Sequence, residues 1–125
     1  MKINLSVASG NLDSLRKLGS LDLGTPKLNF RFAHVLKKID EEVKLFMEEQ
    51  LKIVHKYGSD NGDGSFSVET DEIEQFQKEL AEFNTIECEV DWEKVNVPLS
   101  KFNGVTPIEM NFFEEFFINI VEEDE

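Results

Sequence analysis

The segment Thr25–Gly58 reads TPKLNFRFAHVLKKIDEEVKLFMEEQLKIVHKYG and has the marks of one long amphipathic helix. Thr25 is a good cap, and Pro26 at the first helical position gives up only an N–H that has no partner there. No Gly or Pro follows until Gly58. Leu28, Phe32, Val35, Ile39, Val43, Phe46, Ile53 and Tyr57 recur at gaps of three and four, with Gln50 as the one polar member of the stripe. Phe30, Leu36, Leu45, Met47, Leu51 and Val54 widen it, so the helix is expected to touch more than one neighbour. Lys37, Lys38, Glu41, Glu42, Lys44, Glu48, Glu49 and Lys52 make a mixed-charge opposite face. At 1.5 Å per residue the helix is about 45 Å long, which suits an arm of a hairpin better than a compact core.

Downstream, residues 58–69 read as a turn or hairpin and residues 70–83 as a second helix. Ile73, Phe76, Leu80 and Phe83 form a narrow seam, the natural partner of the long stripe in an antiparallel helical hairpin. The loop from Ser59 to Thr70 has a second reading, as a degenerate EF-hand calcium loop. Asn61 and Asp63 then fall on ligand positions three and five and Gly64 on the turn position, with Asp60 as a further weak metal candidate. Ser59 and Thr70, however, stand where that loop needs its first carboxylate and its bidentate Glu. A β-hairpin with Asn-Gly and Asp-Gly supplying positive φ is favoured over it.

The flanks suggest β structure and one more helix. Ile3, Leu5 and Val7 alternate with polar residues, giving a strand over 1–8, and Ser9 would cap a short helix over 9–18. Ile86, Cys88 and Val90, then Val95, Val97 and Leu99, place strands in 85–99. Thr106-Pro107-Ile108-Glu109 is a capping box, so a last helix is expected over 107–121, ahead of an acidic tail at 122–125.

Charge is unevenly spread. The 125 residues carry a net −13; residues 1–62 hold 10 Lys/Arg against 8 Asp/Glu, and residues 63–125 hold 3 against 18. That balance argues against direct nucleic-acid binding and against an anionic membrane surface. It allows a basic protein partner, and an inhibitor whose carboxylates mimic nucleic-acid phosphates. The 40% hydrophobic content, with 11 Phe, is enough for a core in one domain spanning 1–125. A single Cys, and no apolar run in Met1–Val7 long enough for a signal peptide, point to a reducing, cytoplasmic setting.

Nothing marks an enzyme. His34 and His55 are about six turns apart on one helix, too far to share a metal or form a dyad. His34 is expected at the edge of the core, and Cys88 on a strand is expected to be buried. No phosphate loop, Cys-x-x-Cys pair or nucleophile elbow occurs, and no cofactor is expected. The sharpest candidate is the last helix, where Phe112, Phe113, Phe116 and Phe117 lie on two stripes beside Glu114 and Glu115. A helix apolar on nearly every side must be covered by its own domain or by a partner, including a second copy.

The order of these parts, with Lys56-Tyr57-Gly58, an Asp/Gly-rich turn, Ile73-Glu74-Gln75-Phe76-Gln77-Lys78-Glu79-Leu80, an acidic strand and a Thr-Pro-x-Glu helix, resembles a group of small tailed-bacteriophage proteins of unassigned function. The resemblance implies a phage or prophage origin and a non-enzymatic role, in the host cytoplasm or the virion; it carries over no site residues. The expectation is an α+β domain: a long antiparallel helical hairpin packed with a small β-sheet and closed by a Phe-rich C-terminal helix. Its expected function is a protein-interaction module, either a virion or assembly accessory or an inhibitor of a host protein. The partner would be a host or phage protein, self-association being one form of this, and Phe112, Phe113, Phe116, Phe117, Glu114 and Glu115 the contact residues. The alternative is a metal-responsive binding module built on the Asp60–Thr70 loop.

Overall fold

The structure, a computed structural model, describes residues 1–122; the side chain of Asp60 and residues 123–125 of the expected acidic tail lie outside it. The fold is α+β, built on a long helix with small sheets around it. That helix, α3, spans Pro26–Tyr57. The Thr25 hydroxyl accepts from the Leu28 N–H at 3.1 Å, and Phe32, Val35, Ile39, Val43 and Phe46 are its buried residues, at gaps of three and four. Gly58 ends it because the chain turns back tightly there. A Cβ at Gly58 would stand 2.7 Å from the Val54 carbonyl and 3.3 Å from Phe66 Cβ.

Two strands, β2 (Gly58–Asp60) and β3 (Phe66–Val68), follow as an antiparallel hairpin. Helix α4 (Ile73–Phe83) then runs back along the C-terminal half of α3. Phe83 stacks on Phe46 at 4.7 Å, and Phe76 meets Tyr57 edge-on at 5.8 Å, so the two helices are antiparallel. Helix α4 starts at Ile73, three residues later than the expected Thr70, because Thr70-Asp71-Glu72 form a turn leading into it.

The N-terminal expectations need correction. Strand β1 covers only Lys2–Asn4, and a short helix α1 (Leu5–Ser9) takes residues expected to extend the strand. Asn4 Oδ1 accepts from the Val7 N–H at 3.0 Å, a cap that turns Val7 outward and puts Leu5 and Ala8 inward three residues apart. Ser9 therefore closes a helix instead of opening one. The next helix, α2 (Leu12–Gly19), is separate and packs on the N-terminal half of α3 through Leu15 and Leu18.

The strands of 85–99 do not share one sheet with the N-terminus. Strand β4 (Glu87–Glu89) pairs antiparallel with β1, Ile3 opposite Cys88. Strand β5 (Val95–Pro98) pairs in parallel with β6 (Ile118–Val121), a segment expected to be helical. A 3-10 turn at Leu99–Phe102 and helix α5 (Pro107–Phe116) make the crossover that a parallel pair requires. The last helix thus stops five residues short of Val121. Ile118, Ile120 and Val121 are β-branched and gain a strand partner in β5, which outweighs continued helix.

One core joins these pieces. Phe113, Phe117, Ile118, Ile3, Leu18, Ile39, Val43 and Val97 are its largest fully buried members. Trp92 lies among them, 4.6 Å from the ring of Phe32, and Phe117 meets Phe32 at 5.7 Å. Helix α3 runs past this core, and its C-terminal half with β2, β3 and α4 forms a two-helix arm in which α4 buries no residue completely.

Candidate functional site

Helix α5 is held by the Thr106 capping box, with Thr106 N–H donating to Glu109 Oε1 at 3.1 Å and Glu109 N–H to the Thr106 hydroxyl at 3.2 Å. Lys17 Nζ also reaches Glu109 Oε1, at 2.9 Å, and ties α2 to this end of α5. From there Phe112, Phe113 and Phe117 point into the core, and Phe116 is half-buried with its ring 5.5 Å from Phe112. The expected aromatic contact face is therefore core, because the wrapping that such a helix demands comes from its own domain. Glu114 and Glu115 are exposed, and Glu114 Oε2 accepts from the Ile120 N–H at 3.3 Å. Ile108, 82% exposed, is the apolar residue that α5 does present to solvent.

The 61–65 loop closes the β2–β3 hairpin, with Gly62 at φ 84° and Gly64 at φ 88°. Asn61 Nδ2 donates to Ser65 Oγ at 3.1 Å and to Ser67 Oγ at 2.8 Å; Asp63 Oδ1 accepts from the Ser65 hydroxyl and N–H. Those Ser65 bonds hold the Asp63 carboxyl below its ordinary value. Both side chains are thus spent on shaping a turn. Among the described residues no group of three or more His, Cys, Asp and Glu is placed to hold a metal ion.

The remaining titratable candidates are scattered. Cys88 is buried; desolvation first, and Glu42 after it, push its thiol pKa up, away from nucleophile behaviour. His34 is exposed, a departure from the expected core edge, and packs edge-on to Phe30 at 4.6 Å. His55 is exposed against Phe66 at 5.0 Å.

The arm has two unlike sides. On one, Tyr57 Oη donates to Glu79 Oε2 at 2.5 Å, and Lys56 Nζ reaches the same carboxylate at 3.2 Å. The other side is that of Asn84 on α4, whose Oδ1 accepts from Gln50 Nε2 at 3.1 Å. At about 100° per residue, Met47, Leu51 and Val54 lie on that second side of α3 within roughly 60° of one another. Ile73, Gln77 and Ala81 lie on the same side of α4, at helical spacing from Asn84. Met47 is 47% exposed, Leu51 50% and Ile73 38%. In a chain of 31% charged residues, this strip across two helices carries no charge. Its signal in the sequence is the extra width of the α3 stripe, which the Phe-rich end overshadowed.

Among the described residues no helix is long and apolar enough to cross a membrane. Comparison with family models, with curated proteins and with solved structures finds no match to this chain.

Proposed function

We propose that this chain is a non-enzymatic protein-interaction module whose contact surface is the uncharged side of the α3–α4 arm. The observation that carries the reading is that exposed Met47, Leu51 and Ile73, with half-buried Val54, lie on one side of two adjoining helices. Exposed apolar surface on adjoining helices, rimmed by polar residues, is the usual mark of a protein contact. Catalysis has less to build on, since the buried Cys88 and the separated His34 and His55 bring no acid, base and nucleophile together. The acidic second half adds attraction to a basic partner over the distances that salt permits. A phage accessory protein or an inhibitor of a host factor would use such a surface, the setting that the sequence resemblance implies.

The reading is tested by capture from a host lysate with wild-type protein and with Leu51→Asp, each first confirmed folded by circular dichroism. A partner retained by wild type and lost by the variant supports the arm. The same proteins retained equally by both contradict it.

A further inference from the structure

Strands β5 and β6 form a parallel sheet of two, so each has one edge with no strand beside it. Parallel strands are ordinarily covered by further structure, and an unpaired edge is a template for another chain. Which backbone groups lie on that edge follows from the ladder. Along each strand, alternate residues turn their N–H and C=O toward the neighbouring strand, and those between turn them away. The Ile120 N–H donates to Glu114 Oε2 at 3.3 Å, so Ile120 faces away from β5. Asn119 and Val121 then face β5. In a parallel pair an inward residue bonds to the two that flank its opposite number; Asn119 stands opposite Asn96, so Val95 and Val97 face β6 and Asn96 and Pro98 face away.

Both edges are blunted. Pro98 puts a residue without an N–H on the outer side of β5, the place in a sheet where Pro is tolerated. On β6, Ile118 is fully buried at the junction with α5, which leaves Ile120 to offer the outward N–H. Glu114, in the last turn of α5, fills that donor and sets a carboxylate where an incoming strand would bring a carbonyl. Glu115 is also exposed, and among the described residues it has no such bond to β6.

We infer that Glu114 guards the β6 edge, and that the strand it keeps out is β6 of a second copy. Ile118–Val121 carries no charge, and three of its four residues are β-branched, a composition that suits strand pairing. Two copies approaching antiparallel about a two-fold axis set Ile120 opposite Ile120, and these residues exchange both outward bonds. The net charge of −13 also holds copies apart, but salt screens it; a filled N–H blocks pairing at any salt. The edge belongs to the C-terminal crossover, and its guarding does not depend on what the arm binds.

Light scattering across a range of protein concentrations compares wild type with Glu114→Ala, Glu115→Ala and Glu114→Gln, each first confirmed folded by circular dichroism. Each is measured at low salt and at about 1 M, where the Debye length is about 3 Å. Glu114→Ala should climb toward twice the wild-type mass as its concentration rises, most readily in high salt. Glu115→Ala removes the same charge and should keep the wild-type mass. Glu114→Gln loses the charge but keeps a side-chain oxygen as acceptor, and should keep it too. In dilute Glu114→Ala the Ile120 amide should lose its protection from hydrogen exchange and regain it as the copies associate. The Asn119 and Val121 amides should stay protected throughout.

A wild-type mass for Glu114→Ala at every concentration and salt would overturn the inference. So would an equal rise in Glu115→Ala or Glu114→Gln, which would make charge alone the barrier. A rise in Glu114→Ala that leaves the Ile120 amide open to exchange would overturn it as well, by placing the contact elsewhere. Should Glu114→Ala fail to fold, Glu114→Met, which keeps the side-chain length without the carboxylate, takes its place in the same comparison and is held to the same outcomes.

Discussion

The indole Nε1 of Trp92 donates to the carbonyl of Phe117 at 2.8 Å inside the core, at the point where α5 gives way to β6. A helix continuing to Val121 would use that carbonyl for its own ladder. The indole takes its place, the backbone opens into the strand, and Ile118 pairs with Val95. The bond therefore couples the loop after β4 to the C-terminal crossover.

Trp92→Phe should lower stability by about 1–3 kcal/mol, since it leaves a buried acceptor without its donor and removes ring volume. Urea denaturation with a far-ultraviolet probe measures this. A change within about 0.5 kcal/mol, the ordinary range of surface substitutions, would mean that the junction does not need the indole.

Phe113→Ala and Phe117→Ala should each cost about 3–5 kcal/mol, the range for a buried aromatic truncated to Ala. Ile108→Ala, on the same helix but exposed, should stay within about 0.5 kcal/mol. Equal, small effects at all three sites would return the Phe-rich end to the role of an exposed face.

How much of this could be read in the sequence divides along physical lines. Helix α3 was legible from its cap, its first-turn Pro and its unbroken stripe, because a segment that long leaves tertiary context little to override. The seam of α4 was legible for the same reason. The four-residue segments were not. Leu5-Ser6-Val7-Ala8 fits a strand by alternation and a helical turn by Leu5 and Ala8, and only the Asn4 cap decides it. Ile118–Val121 extends a helical pattern on paper, and its strand exists because Val95–Pro98 lies beside it. The burial of the Phe-rich end was illegible for a related reason. Aromatic density marks what must be buried, and whether the chain itself does the burying depends on contacts distant in sequence.

Acid should loosen two ties at opposite ends of the molecule. The Tyr57 hydroxyl, and then Lys56, hold the Glu79 carboxyl below its ordinary 4.5; Lys17, and then the Thr106 N–H, do so for Glu109. A carboxyl depressed in the native state contributes stability that is complete above 4.5 and is lost as the pH falls through the depressed value. Glu79→Gln and Glu109→Gln should thus melt below wild type at neutral pH, with the gap closing as the pH is taken down from 4.5. Melting curves across pH check this; a gap that widens in acid would contradict the assignment.

The hairpin loop should behave as a turn. Gly64→Ala places a side chain at φ 88° and should cost about 1–2 kcal/mol. Calorimetric titration of the wild type with calcium to millimolar concentration should give no binding heat and leave the melting temperature unchanged. A saturable heat with a raised melting temperature would restore the metal-responsive reading of Asp60, Asn61 and Asp63.

The central claim is that the protein meets its partner with the uncharged side of the arm and keeps its Phe-rich end for the core. The most direct measurement is a methyl chemical-shift footprint of the labelled full chain on adding the partner captured from host lysate. Met47, Leu51, Val54 and Ile73 should shift together while Ile108, Ile120 and Val121 hold still. Shifts gathered on Ile108 and the C-terminal strand, with the arm unmoved, would contradict it.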